Sequence, residues 1–146
     1  MSEELVLKHG DLTRKIIGFF YDVYNDLGYG FLESVYEDAL CIALAEAGLC
    51  YERQAPVPVW FRGHRVGDFK ADIVVEATVI LELKAARALD PAHEAQLLHY
   101  LKATHLEIGI LLNFGVKPEF RRLLFDNARK RIRVDPCKSV AETGVS

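Results

Sequence analysis

The stretch Asp68–Leu89, DFKADIVVEATVILELKAARAL, reads as two strands joined by a tight turn. Strand residues two apart share a face, so Glu82 and Lys84 point one way while Val79, Leu81 and Leu83 point the other. With the turn centred near Ala77, Asp72 on the first strand falls roughly opposite Glu82, close enough for the two carboxylates to share a ligand. Two acids and a lysine thus stand on one face of a strand pair otherwise made of Val, Ile and Leu. Alternation alone leaves two readings open. One is an exposed acid–lysine pair contributing about 0–1 kcal/mol. The other is a cation site, because two carboxylates crowded on a covered sheet are costly unless a positive charge joins them.

Working outward, Asp90-Pro91 is a helix start, with Asp as N-cap and Pro at the first helical position. The helix runs to about Ala103 with Leu97, Leu98 and Leu101 inward. Gln96 and Tyr100, four apart, share a face that can rest over the Lys84 end of the strand. Glu107–Phe114, EIGILLNF, is apolar enough for a strand covered on both faces. Lys117–Phe125 adds one more strand, and a short basic extension follows Asp126.

Upstream, Val57, Val59 and Phe61 alternate as a strand, and Arg62–His64 turns the chain into the hairpin. Before it come two helices. The first is capped by Asp11 or Thr13, carries Leu12, Ile16, Phe19, Phe20, Val23 and Leu27 at helical spacing, and stops at Gly28 and Gly30. The second spans about Leu32–Ala47, with Leu32, Tyr36, Leu40, Ala43 and Ala47 in one stripe. Glu33 and Tyr36 are surface neighbours on it, so Glu33 flanks the buried side. Alone, Glu33 is an ordinary first-turn acid favourable to the helix dipole. The order α-α-β-β-β-α-β-β describes an α/β sandwich around a mixed sheet.

A chain of 146 residues fits one domain; we place it at 10–133, with an N-terminal extension over 1–9 and a fraying tail over 134–146. No apolar run reaches membrane-spanning length and the first residues lack a signal-peptide core, so a cytoplasmic protein is expected, with no membrane partner. Cys41, Cys50 and Cys137 form no CxxC, which argues against disulfides and zinc; Cys41 reads as core. Net charge is −3, but residues 1–50 carry nine acids and three bases, while Lys117–Arg133 carries seven bases and two acids. That asymmetry marks either a nucleic-acid-facing end or a solvated segment balancing the acidic half.

Asp72, then Glu82-x-Lys84 on the next strand, preceded by the helical Glu33, resembles the PD-(D/E)xK nuclease superfamily. Gln96-x-x-x-Tyr100 is similar to the extra motif of its exonuclease-like branch. Gly30-x-x-Glu33-x-x-Tyr36 looks like the signature of the GxxExxY protein family, as do LTRKIIG, ERQAPVPV, LELKA, HEAQLLHYLK and LLNFG. The resemblance covers about residues 10–125. The proline that often precedes the first acid is replaced by Ala71.

The resemblance implies a restriction-endonuclease-like α/β sandwich hydrolysing phosphodiester bonds of nucleic acid, DNA ahead of RNA. Asp72 and Glu82 would ligate Mg²⁺ or Mn²⁺ with the Leu83 backbone carbonyl, and Glu33 would complete the acidic shell directly or through water. Lys84 would orient or deprotonate the attacking water and stabilise charge on the phosphate, and Gln96 and Tyr100 would shape the site or touch the nucleic-acid backbone. Arg121, Arg122, Arg129, Lys130 and Arg131 are candidates for phosphate contacts. A homodimer or protein partner is compatible with the apolar helices. The alternative is a non-catalytic nucleic-acid-binding or accessory protein that keeps the nuclease fold.

Overall fold

The computed structural model describes residues 9–130. Two non-glycine residues in the left-handed region, Glu76 (φ 54°) and Ala77 (φ 52°), lie in the three-residue connection Glu76–Thr78 between β2 (His64–Val75) and β3 (Val79–Lys84). The Thr78 amide closes the turn on the Val75 carbonyl at 2.9 Å, and Ile73 faces Leu81 across the ladder. The turn expected near Ala77 is therefore present.

The remaining elements are α1 (Gly10–Leu27), α2 (Glu33–Glu46), β1 (Tyr51–Phe61), α3 (Pro91–Ala103), β4 (Ile108–Phe114) and β5 (Pro118–Leu124), followed by a 3-10 turn at Asn127–Arg129. The sheet runs β1-β2-β3-β4-β5. Only β3 and β4 are parallel, and α3 makes the crossover between them. Pro56 and Pro58 lie in β1, an edge strand, where a missing N–H is tolerated.

The two faces of the sheet bury different sets. On one, Ile16 and Phe20 of α1 and Tyr36, Leu40 and Cys41 of α2 pack on Ile73, Leu81, Leu83 and Ile110. Tyr36 stacks on Phe114 with ring centres 4.3 Å apart. On the other, Leu97, Tyr100 and Leu101 of α3 cover Ile80 and Leu111. The assignment switches at Asp72: Ile73 and Val75 belong to the α1–α2 layer, whereas Ala71 and Val57 join the α3 layer and Phe69 meets His99 and Tyr100. Gln54, across from Asp72, has φ 52°. Beyond this bend the β1–β2 ribbon leaves β3 and curls around α3.

Several local expectations shift. His9, not Asp11 or Thr13, occupies the N-cap of α1; the Thr13 hydroxyl instead donates to the Gly10 carbonyl, and Asp11 pairs with Arg14. Leu32 caps α2 from outside and is 75 % exposed, and Ala47 is also exposed; Cys41 and Leu44 hold the buried positions. The buried stripe thus sits about one residue round the helix from the expected one. β1 begins at Tyr51, well before Val57, and its end at Phe61 is exposed because the ribbon there has left the sheet. Leu98 is only half-buried. The Asp90 cap is as expected: its carboxylate accepts from the Ala92 amide at 2.6 Å.

Gly109 on β4 lies against α3, where an added Cβ would stand 2.7 Å from Leu97 Cδ1. Gly109→Ala is therefore expected to cost about 1–3 kcal/mol by overpacking, read by urea denaturation. Residues 1–8, Arg131 and the tail at 134–146 lie outside the described residues. Among the described residues no helix is long and apolar enough to cross a membrane.

Candidate active site

The regular β2–β3 ladder ends at Ile73 and Leu81, one residue short of Asp72 and Glu82. There the strands are joined by side chains instead. The Asp72 amide donates to Glu82 Oε2 at 2.9 Å, and the Leu83 amide donates to Asp72 Oδ2 at 2.8 Å. Each carboxylate thus takes the place of a backbone acceptor where the ribbon peels away, and the pair is held by the fold itself. The second oxygens, Glu82 Oε1 and Asp72 Oδ1, have no hydrogen-bond partner among the described residues.

Glu82 is 3 % exposed. Burial, with the Asp72 charge second, pushes its carboxyl up to about 8. Burial also raises Asp72, opposed by the Leu83 amide, with the charges of Glu37 and Glu33 adding to the rise. A buried and a half-buried acid, both with their carboxyls raised and each with one oxygen unmatched, form an arrangement that a cation would relieve.

Lys84 continues on the same face. Its ammonium donates to Gln96 Oε1 at 3.2 Å, and Gln96 Nε2 donates to the Tyr100 hydroxyl at 3.1 Å. Tyr100 is buried, and that burial, then the Glu82 charge, raises its phenol. The structure therefore brings Asp72, Glu82, Leu83, Lys84, Gln96 and Tyr100 together. Glu33 stands at the exposed first turn of α2, felt electrostatically by both acids. Among the described residues no three His, Cys, Asp or Glu side chains converge closely enough to hold a metal by themselves. The two carboxylates still fit Mg²⁺, which is commonly held by one or two carboxylates with water and substrate phosphate filling its shell.

Of the basic residues expected to meet phosphate, Arg122 is exposed on β5. Arg121 lies between Glu94 and Glu119, at 3.7 and 3.8 Å. Arg129 covers the Phe125 ring at 4.9 Å. Lys130 donates to the Thr104 and Leu106 carbonyls at 2.9 and 2.7 Å, so its ammonium ties the chain to the end of α3; burial lowers its pKa. Arg131 lies outside the described residues.

Three further residues shape the site. Glu37, one turn after Glu33, is mostly buried and bonded to Arg53 at 2.9 Å, and Arg53 also holds Asp38. Its i,i+4 spacing from Glu33 is the sequence signal that could have found it. Tyr36 donates to the Gly28 carbonyl at 2.6 Å and accepts from the Phe31 amide at 3.2 Å, which fixes the loop before Glu33. Asn113, fully buried, clamps Ala86 through both side-chain atoms at 2.9 and 3.0 Å, just past Lys84. Asn113→Ala is expected to cost about 2–4 kcal/mol in urea denaturation, because both backbone groups of Ala86 lose their partner. A groove of about 820 Å³ between α1 and α2, walled by Phe19, Ile42 and Ala43, holds none of these side chains.

The split strands, the paired carboxylates and the lysine on a mixed sheet sandwiched by helices define a restriction-endonuclease-like domain. Residues 10–123 match the PD-(D/E)XK nuclease superfamily, and the chain belongs to it. No curated protein matches the chain. Among solved structures, SSO0001 is similar with TM-score 0.50 and 17 % identity over 64 % of this chain and 50 % of that one. An alkaline exonuclease, LHK-Exo from Laribacter hongkongensis, has TM-score 0.45 and 13 % identity over 60 % of this chain and 53 % of its own. Hjc, a Holliday junction resolvase from Archaeoglobus fulgidus, has TM-score 0.40 and 19 % identity over 78 % of this chain and 90 % of its own. The chain spans about half the length of the first two.

Proposed function

We propose that the chain is a metal-dependent nuclease of the GxxExxY kind, hydrolysing phosphodiester bonds of DNA in preference to RNA. The observation that carries this is the Asp72–Glu82 pair, Glu82 buried and Asp72 half-buried, each acid with one oxygen unpaired, beside Lys84. Asp72 and Glu82, with the Leu83 carbonyl, would hold Mg²⁺ or Mn²⁺, and Glu33 would reach it through water. The bound cation would activate water and offset charge developing on the phosphate. Lys84 orients the attacking water and places its charge beside the phosphate. Gln96 and Tyr100 hold the lysine in position through their hydrogen-bonded chain.

The exposure of Glu33 and the engagement of Lys84 by Gln96 favour a second reading, an accessory protein that binds nucleic acid without turnover. A cleavage panel of single-stranded, duplex, branched and RNA substrates, with Mg²⁺, with Mn²⁺ and with chelator, separates the two. The nuclease cuts at least one substrate, only with metal, and loses that activity in Lys84→Ala. Binding that weakens steeply with salt, with no substrate cut, assigns the accessory role.

A further inference from the structure

A cleft of about 290 Å³ opens where the α1–α2 loop meets the ends of the parallel strands β3 and β4. Tyr29 and Phe31 line one side, Ala86 and Arg87 the next, and Gly115 and Val116 the last. Phe31 lies two residues before Glu33, and Ala86 two residues after Lys84, so the cleft borders both elements that bring candidate site residues forward.

Its walls are rigid although its side chains are exposed. Tyr36 ties the Gly28–Phe31 loop, and Asn113 clamps Ala86. The Tyr24 hydroxyl lies 2.8 and 2.6 Å from the Gly115 and Val116 carbonyls. A Cβ on Gly115 would stand 2.3 Å from the Ala86 carbonyl oxygen, so the strand ends touch here and leave no slack. On these fixed supports Tyr29 is 61 %, Phe31 47 % and Val116 57 % exposed. Aromatic faces held open beside a guanidinium suit a planar ring whose backbone carries negative charge.

We propose that this cleft receives one unpaired nucleobase of a strand whose phosphate lies at Asp72, Glu82 and Lys84, so that the substrate class is nucleic acid with a single-stranded segment. The proposal rests on the nuclease reading for the position of the phosphate. Tyr29 and Phe31 supply the stacking surface, and Arg87 meets the flanking phosphate. Stacking of this kind tolerates any base, so it selects strand state and not sequence.

The test is fluorescence anisotropy with a labelled single strand and a blunt duplex of the same sequence, in chelator so that nothing is cut. It uses the wild type, Tyr29→Ser, Phe31→Ala and Phe31→Trp, all checked for wild-type melting temperature. Tyr29→Ser is the exposed variant that keeps the test valid if Phe31→Ala folds poorly. Wild type is expected to prefer the single strand. Tyr29→Ser and Phe31→Ala should each weaken single-strand binding about ten-fold while changing duplex binding less than about two-fold, and Phe31→Trp should retain it. Equal losses on both substrates, no loss on the single strand, or a change of sedimentation from dimer to monomer in the variants would overturn the proposal. Metal-dependent cleavage of the same oligonucleotides separates the two ideas. Lys84-dependent cutting with single-strand binding indifferent to both variants removes the cleft alone, and cleft-dependent binding without cutting removes the nuclease alone.

Discussion

Glu82→Gln is expected to abolish metal-dependent cleavage, a loss of about 10³-fold or more, while leaving the fold intact. The amide keeps the side chain's size and still offers an oxygen to the Asp72 N–H now bonded at 2.9 Å. What it removes is the charge that would hold a cation beside Asp72. Lys84→Ala is milder, about 10²–10³-fold, comparable to losing one donor aimed at developing negative charge. Single-turnover cleavage of the fastest wild-type substrate checks both, with circular dichroism to show that the variants are folded. Residual activity in Glu82→Gln within ten-fold of wild type would place the chemistry elsewhere.

The same substitution should stabilise the metal-free protein, and the effect depends on pH. Burial raises the Glu82 carboxyl from its ordinary 4.5 to about 8 in the folded chain. Below about pH 4.5 it is protonated in both states and contributes no difference. Between 4.5 and about 8 the unfolded chain releases the proton while the folded chain retains it, so stability falls as pH rises; above about 8 the loss is complete. Asp72, also raised by burial, acts in the same direction. In chelator, the wild-type melting temperature should therefore drop between pH 5 and pH 8, and Glu82→Gln should flatten most of that slope. Adding Mg²⁺ or Mn²⁺ should recover stability at pH 8 and much less at pH 5, because proton and cation compete for the same oxygens. Differential scanning fluorimetry over that range reads all three curves. A wild-type curve that stays level or rises towards pH 8 would contradict the burial of Glu82.

Much of the frame was legible because it is local. Alternation in Val79–Lys84, Asp90-Pro91 at a helix start and the unbroken apolar run of β4 each follow from a period or a turn chemistry within a few residues. The facing of Asp72 and Glu82 follows from one short turn. What escaped depends on contacts distant in sequence. The bend at Gln54 and Asp72, which carries Ala71 to the opposite layer from Ile73, leaves no mark in the alternation. Asn113 sits inside an apolar run as an apparent blemish until its clamp on Ala86, 27 positions away, is seen. Lys130 reads as one charge of a basic cluster, yet its ammonium is spent on two carbonyls at the end of α3. Glu37 was open to reading from its i,i+4 spacing after Glu33, but its partner Arg53 reaches α2 only in the folded chain.

Everything proposed for the chemistry depends on the Asp72–Glu82 pair acting as a cation-holding centre beside Lys84. The measurement that tests this most directly is cleavage of labelled DNA by wild type and Glu82→Gln purified in parallel, each with Mg²⁺, with Mn²⁺ and with EDTA. Wild type should cut with either metal and stop in EDTA, and Glu82→Gln should be silent throughout. Equal cutting by both proteins, or cutting that persists in EDTA, would contradict it.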